Sequence, residues 1–229
     1  MPASITKCLS NINKVVIFGT NDFAELADFY LKTDWKSGSC EVVAFTVNKE
    51  YLKEDTFKGK PVVPFEEITK LFPPTQNLFF APLANNILRG KIYSQAKNKG
   101  YKFISYISSK ATVFGNHIGE NCFILEDNTI QPFVEIGNNV ILWSGNHCGH
   151  HSKISDHCFL SSHVVLSGHC QIEPYCWFGV NSTIRDNLKI AEGTMLAMGA
   201  VLTKNTDPWS LYMGIPAKKI EGKDTHELL

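Results

Sequence analysis

From Ile118 onward the hydrophobic pattern keeps a strict period of six. Large apolar residues stand at Ile118, Ile124, Ile130, Ile136, Leu142, Cys148, Ile154, Leu160, Leu166, Ile172, Phe178, Ile184, Ile190, Leu196 and Leu202, and thirteen of these fifteen are Ile or Leu. A helix repeats every 3.6 residues and a flat strand every 2, so neither holds this register. Four positions after most of these residues comes a small or compact one, among them Cys122, Val134, Val140, Ser152, Cys158, Val164, Cys170, Cys176, Ser182, Thr194 and Ala200. A chain that forms a short strand, turns through a third of a circle and repeats needs just this. It points one aliphatic residue inward per hexapeptide and needs little bulk near each corner. Three hexapeptides close a triangular coil, and coils stack at the ~4.8 Å spacing of any parallel ladder. Each inward side chain then contributes roughly 1.5–3 kcal/mol of burial. The pattern predicts a parallel β-helix over residues 107–229.

Before the repeat the pattern changes. Lys14 to Phe18 reads as an apolar strand, Gly19 as a tight turn, and Asp22 to Ala24 as the start of a helix. Further strands are expected at Glu41 to Val47 and Leu78 to Ala81. Helices are expected near Phe65 to Leu71 and from about Asn85 to Gly100, with a last strand at Phe103 to Ile107. The order β-α-β-α-β-α-β predicts a compact parallel sheet, so residues 1–106 are expected to form a separate α/β domain, which the family resemblance given below makes a truncated Rossmann unit. The strand-Gly-helix junction at Gly19 suits a phosphate, because free backbone N–H groups and the helix dipole converge there. A full G-x-G-x-x-G is absent, since Asn21 and Ala24 stand where further glycines would be.

Composition narrows the partners. Lys plus Arg and Asp plus Glu both number 22, so no global field draws in nucleic acid or an anionic membrane. With no long apolar run and no secretory pattern at the N-terminus, the chain is expected to be soluble and cytoplasmic. Seven cysteines, five of them on the repeat, fit reduced thiols better than a disulfide framework.

Six of the eight histidines lie between His147 and His169. Histidine serves as a general base near neutral pH or as a metal ligand. His151, His157, His163 and His169 share one phase of the hexapeptide, but only His151 and His169 stack one coil apart, so all four cannot hold one ion. No metal is expected. Gly168 lies one full coil above His150.

The repeat, with the ending Tyr212-Met213-Gly214-Ile215-Pro216-Ala217-Lys218, resembles the hexapeptide-repeat acyltransferases, whose prisms are left-handed and close with G-x-P-A-K. Together with the α/β half it resembles the acetyltransferases of nucleotide-linked amino sugars and the related sialic acid O-acetyltransferases. The resemblance implies acetyl-CoA as cosubstrate and a homotrimer with active sites between prisms. A His-(Asp/Glu)-Cys-x-Ile-Gly motif carries the general base of that family. The matching segment here is His150-His151-Ser152-Lys153-Ile154-Ser155, which puts the base at His150 and a second histidine, His151, where a carboxylate usually orients it.

By the same resemblance the Gly168 N–H faces the thioester carbonyl. Gly179, Ala197, Gly199, Lys204 and Lys218 are expected along the CoA groove. Gly19, Thr20, Asn21, Asp22 and Phe23 are expected to cradle a diphosphate, with Asn48 and Asn86 flanking base and sugar. Acidic residues common after the second strand in that family are missing at Val47-Asn48. The acceptor first expected is a 4-amino-4,6-dideoxyhexose. Acetylation of a sugar hydroxyl, a metalloenzyme like the γ-type carbonic anhydrases and a non-catalytic scaffold remain as alternatives.

Overall fold

The structure is a computed structural model that describes residues 13–34 and 40–228. The N-terminal segment read above for a secretory signal, with Cys8, lies almost entirely outside these residues. No helix among the described residues is long and apolar enough to cross a membrane.

The N-terminal domain contains β1 (Lys14–Phe18), α1 (Asp22–Thr33), β2 (Glu41–Val47), β3 (Thr56–Phe57), β4 (Lys60–Pro64), α2 (Ile68–Leu71), β5 (Leu78–Phe80) and α3 (Asn86–Asn98). Its sheet order is β3-β4-β2-β1-β5. Pairing is parallel except for the β3–β4 hairpin. Alternation along β1 sorts the two cores as period two requires. Val15 and Ile17 face the α1 side, whereas Val16 and Phe18 face a second cluster that includes Ile68, Ile92 and Ala96. The expected last strand is divided. Phe103 makes one parallel bridge to Phe79, and Tyr106–Ile107 already belongs to the first coil.

From Tyr106 the chain winds through three parallel sheets, which we number as faces in the order the chain visits them. The first face holds Phe123–Ile124, Ile141–Leu142, Phe159–Leu160, Trp177–Phe178 and Met195–Leu196. The second holds Thr129–Ile130, His147–Cys148, Val165–Leu166, Thr183–Ile184 and Val201–Leu202. The third holds Glu135–Ile136, Lys153–Ile154, Gln171–Ile172 and Lys189–Ile190. The second residue of each pair points inward. These residues and the compact ones four positions on, Cys122 through Ala200, make one continuous core. The first coil is one residue short, because Tyr106 pairs with Phe123 and Thr112 with Thr129 before the register settles at His117 with Glu135.

Each corner is turned by a residue in the left-handed region. Every sixth residue from Asn121 to Gly199 has positive φ, including His151, His157, His163 and His169 at 58–66°. Asn, Asp, Gly and His tolerate this conformation best and hold most of these positions. The shared phase of the four histidines therefore has a backbone cause.

The first residue of each pair points outward and gives each face its character. On the first face it is large and apolar, and Phe123, Ile141 and Phe159 join the α1-side core of the N-terminal domain, which covers this face. On the second it is Thr129, His147, Val165, Thr183 or Val201, with no acid and no Lys or Arg. On the third it is Glu135, Lys153, Gln171 or Lys189, mostly charged. After the last coil, Ser210–Gly214 adds to the first face in parallel and Ala217–Asp224 folds back against it as a hairpin.

Candidate active site

His150 sits on the edge between the second and third faces, just after the strand His147–Cys148. Its backbone N–H donates to Gln131 Oε1 at 2.9 Å, which ties the corner to the coil below. The ring lies over Gly168, where a Cβ would come within 2.8 Å of His150 Cε1 and 3.0 Å of Nε2. Only glycine leaves the ring this place. The Gly168 N–H has no acceptor among the described residues. His150 Nδ1 is 3.1 Å from His151 Nδ1, so one imidazole N–H donates to the other ring. His151, the next residue in the chain, is thus the hydrogen-bond partner of the His150 ring. Sequence reasoning missed Gln131, which carries no motif.

The residues expected along the CoA groove divide between two edges. Lys204 shares the phase of His150 and Gly168 and is exposed two coils beyond Gly168, roughly 10 Å along the stack. Gly179, Ala197 and Gly199 lie instead on the edge between the first and second faces, and within one chain they do not meet His150. Gly179 is buried, and a Cβ there would strike Met198 N and come within 2.8 Å of Ala197 C, so close stacking of coils accounts for this glycine. Lys218 is exposed on the closing hairpin opposite Met213.

The N-terminal domain has a cleft of about 490 Å³ at the ends of β2 and β4. It is lined by Thr20, Val47, Tyr51, Lys53, Glu54, Thr56, Phe57 and Val62. Of the expected diphosphate cradle only Thr20 lines it. Gly19 has φ +111° and donates its N–H to Thr46 O, so it serves the turn. Asn21 caps α1 by accepting from Ala24 N at 3.3 Å, and Asp22 adds a negative charge to the helix start. An anion is poorly placed beside that carboxylate. Phe23 packs on Trp143 and Phe159 and docks the domain onto the β-helix.

Asn86 is likewise structural. Fully buried, it donates to Tyr175 O and Cys176 O and accepts from Arg89. Arg89, one turn along α3, donates to Leu83, Ala84, Asn139, His157 and Cys158 carbonyls. Those bonds close the edge between the third and first faces. Asn48 differs, because its Oδ1 is buried with no partner among the described residues. No acid stands directly after β2, but Glu54 lines the cleft wall. Tyr51, 64% exposed beside the cleft, was also missed, since a lone tyrosine in a charged segment carries no motif.

Against known proteins, the family described as Bacterial transferase hexapeptide (six repeats) matches residues 117–150. A variant of perosamine N-acetyltransferase from Caulobacter crescentus, in complex with CoA and GDP-perosamine, superimposes with a TM-score of 0.82 at 21% identity, covering 91% of this chain and 97% of that one. The acetyltransferase domain of PglB from Neisseria gonorrhoeae in complex with acetyl coenzyme A gives 0.80 at 19% identity, covering 91% and 100%. WeeI from Acinetobacter baumannii gives 0.79 at 20%, covering 90% and 99%. These likenesses run through both domains, and the fold is that of a hexapeptide-repeat left-handed β-helix carrying an N-terminal Rossmann-like domain.

Proposed function

We propose that the protein is an acetyl-CoA-dependent N-acetyltransferase acting on an amino sugar carried by a nucleoside diphosphate. The observation that carries this reading is the His150–Gly168 pair: an exposed imidazole held over a glycine whose N–H is unpaired. Acetyl-CoA supplies the activated acetyl group. His150 Nε2 takes the proton from the sugar amine as the amine attacks the acetyl carbonyl. The Gly168 N–H donates to the oxygen on which charge develops, and the absence of a side chain lets the thioester lie against the coil. The C–S bond then breaks, and His150 returns its proton to the departing thiolate. For Nε2 to be the free nitrogen, Nδ1 must carry the proton and donate to His151 Nδ1, which fixes the tautomer. Lys204, farther along the edge, offers a positive charge to the phosphates of CoA.

The cleft supports the nucleotide half of the substrate, with Tyr51 and Phe57 offering aromatic surface and Lys53 and Glu54 offering polar edges. In a triangular prism the His150 edge lies opposite the first face, where the N-terminal domain sits. An acceptor held by one chain therefore reaches the base of a neighbouring copy more readily than its own. The uncharged second face lies between the His150 edge and the edge of Gly179 and Gly199. Packing that face around a three-fold axis brings the two edges of different copies together. A homotrimer with shared sites is the assembly this arrangement supports.

The test is release of free CoA from acetyl-CoA with UDP-, dTDP- and GDP-linked 4-amino-4,6-dideoxyhexoses as acceptors. One acceptor should support turnover, and His150→Ala should lower kcat by about 10²–10⁴-fold without changing the oligomer. Turnover unaffected by the substitution, or absent with every acceptor, refutes the reading.

A further inference from the structure

The corner geometry gathers three imidazoles at one place. His151 and His169 are left-handed corner residues one coil apart, and their rings lie parallel with centroids 4.9 Å apart. His150 stands nearly perpendicular to both, at 5.2 and 5.1 Å. One nitrogen from each ring falls within 4.8 Å of the others, and the His150 and His151 nitrogens are already 3.1 Å apart. Imidazoles bound tetrahedrally at ~2.0–2.1 Å hold their nitrogens about 3.3 Å apart. The first pair meets that spacing as it stands. All three rings are exposed, so the third has side-chain rotation available to close the remaining distance. The outer side stays open to water, as in a three-histidine site with a free fourth position.

The other histidines of this phase do not converge. The His157 ring stacks on Tyr175, and its Nδ1 is taken by Asn139 Nδ2 at 2.7 Å. The His163 ring abuts Gly145, one coil below. Shared phase alone therefore does not build the cluster. It needs His150 beside two stacked corner histidines.

We propose that His150, His151 and His169 bind a divalent transition-metal ion of the zinc type, and that the bound ion switches the enzyme off. Imidazole suits late first-row ions, Zn²⁺ among them. An ion on His150 Nδ1 displaces the proton that this atom carries in the reaction, so the remaining ring proton sits on Nε2 and no lone pair is left there to take one from the amine. It also draws the ring away from its hydrogen bond with His151. The site lends no chemistry to acyl transfer, and it competes with it. The inhibitory part rests on the function proposed above, whereas the binding part stands without it.

The experiment titrates metal-free protein with Zn²⁺ against a chromophoric chelator and, separately, with Co²⁺ by visible absorption. His169→Asn is the decisive variant, because asparagine already holds Asn121, Asn139, Asn181 and Asn187 at the same corner phase and accepts positive φ. Wild type should bind one Zn²⁺ per chain and develop the intense visible bands of tetrahedral Co²⁺. His169→Asn should weaken Zn²⁺ by more than about 100-fold, beyond the range seen for outer-shell partners of a metal site. Turnover of wild type should fall on adding stoichiometric Zn²⁺ and recover with chelator, while the variant keeps its metal-free turnover and resists inhibition. Failure of wild type to bind one ion per chain, or equal binding by the variant, overturns the proposal. If no acceptor is turned over, the metal titrations still decide the site, so failure of the transferase reading is seen separately.

Discussion

Two glycines on one edge of the prism, Gly149 and Gly168, should respond in opposite ways to a single added methyl. At Gly149 a Cβ would come within 2.6 Å of Gly168 N and 2.7 Å of Leu166 O, both backbone atoms of the next coil. Neither can move without opening the ladder, so Gly149→Ala should destabilise the fold by about 1–3 kcal/mol, as overpacking does. At Gly168 the neighbours of a Cβ are His150 Cε1 at 2.8 Å and Nε2 at 3.0 Å, on an exposed ring free to swing outward. The overlap is roughly 0.5–0.7 Å against a carbon-pair optimum near 3.5 Å. Relieving it costs the fold less than about 0.5 kcal/mol. The displaced ring, however, no longer meets the proton it must take. A misplacement on the order of 1 Å costs about 100-fold in rate. The assays are urea unfolding for both variants and acceptor-dependent CoA release for Gly168→Ala. A stable Gly168→Ala protein that keeps wild-type kcat/KM would refute the pairing of His150 with Gly168 in the mechanism.

Two further outcomes follow from groups on the edge that docks α3. Arg89→Met leaves five carbonyls without their donor and should cost at least about 3 kcal/mol in urea unfolding. Arg89→Lys should not restore it, because an ammonium cannot reproduce the planar fork; a loss under about 1 kcal/mol would show that the guanidinium is dispensable for docking. His157 has its pKa held down to about 4, chiefly by burial, with Asp156 opposing and Arg89 adding to the shift. Its unfolded value near 6.5 is higher, so the unfolded chain binds more protons between the two. The associated stability is complete above about pH 6.5 and is lost as pH falls toward 4, by up to about 3 kcal/mol. His157→Asn, which suits φ +66°, should flatten this acid limb, and an unchanged limb would assign it to other groups.

The β-helix was legible because one physical demand, an inward aliphatic at each turn, recurs at an unchanging interval. The corner phase three residues earlier was not, although it is equally regular. What it demands is a backbone angle, and Asn, Asp, Gly, His, Phe133 and Tyr175 all meet it, so no residue type announces it. That is why the shared phase of His151, His157, His163 and His169 could be read from the sequence while its cause, the corner backbone, could not. His150 was singled out through its motif and Gly168 through the length of one coil, and the structure places the two in contact. The α/β half was less readable. Asn86 and Phe23 stood where a substrate loop was expected, yet they hold the two domains together, because a short polar or aromatic stretch does not reveal which neighbour it faces. Tyr51 and Glu54 went unnoticed for the same reason.

The hairpin that follows the last coil also guards the molecule against itself. A stack of parallel coils has no natural last member, since its final rung offers the same unpaired N–H and C=O groups that received the coil before it. Ser210–Gly214 covers the rung of Met195–Leu196, and Ala217–Asp224 turns the pairing antiparallel. A second copy approaching end-on meets a strand running the wrong way, studded with Lys218, Lys219 and Lys223. On the first face the ladder therefore cannot be extended in parallel, and a chain cut before Ser210 would leave the Met195–Leu196 rung open to another strand.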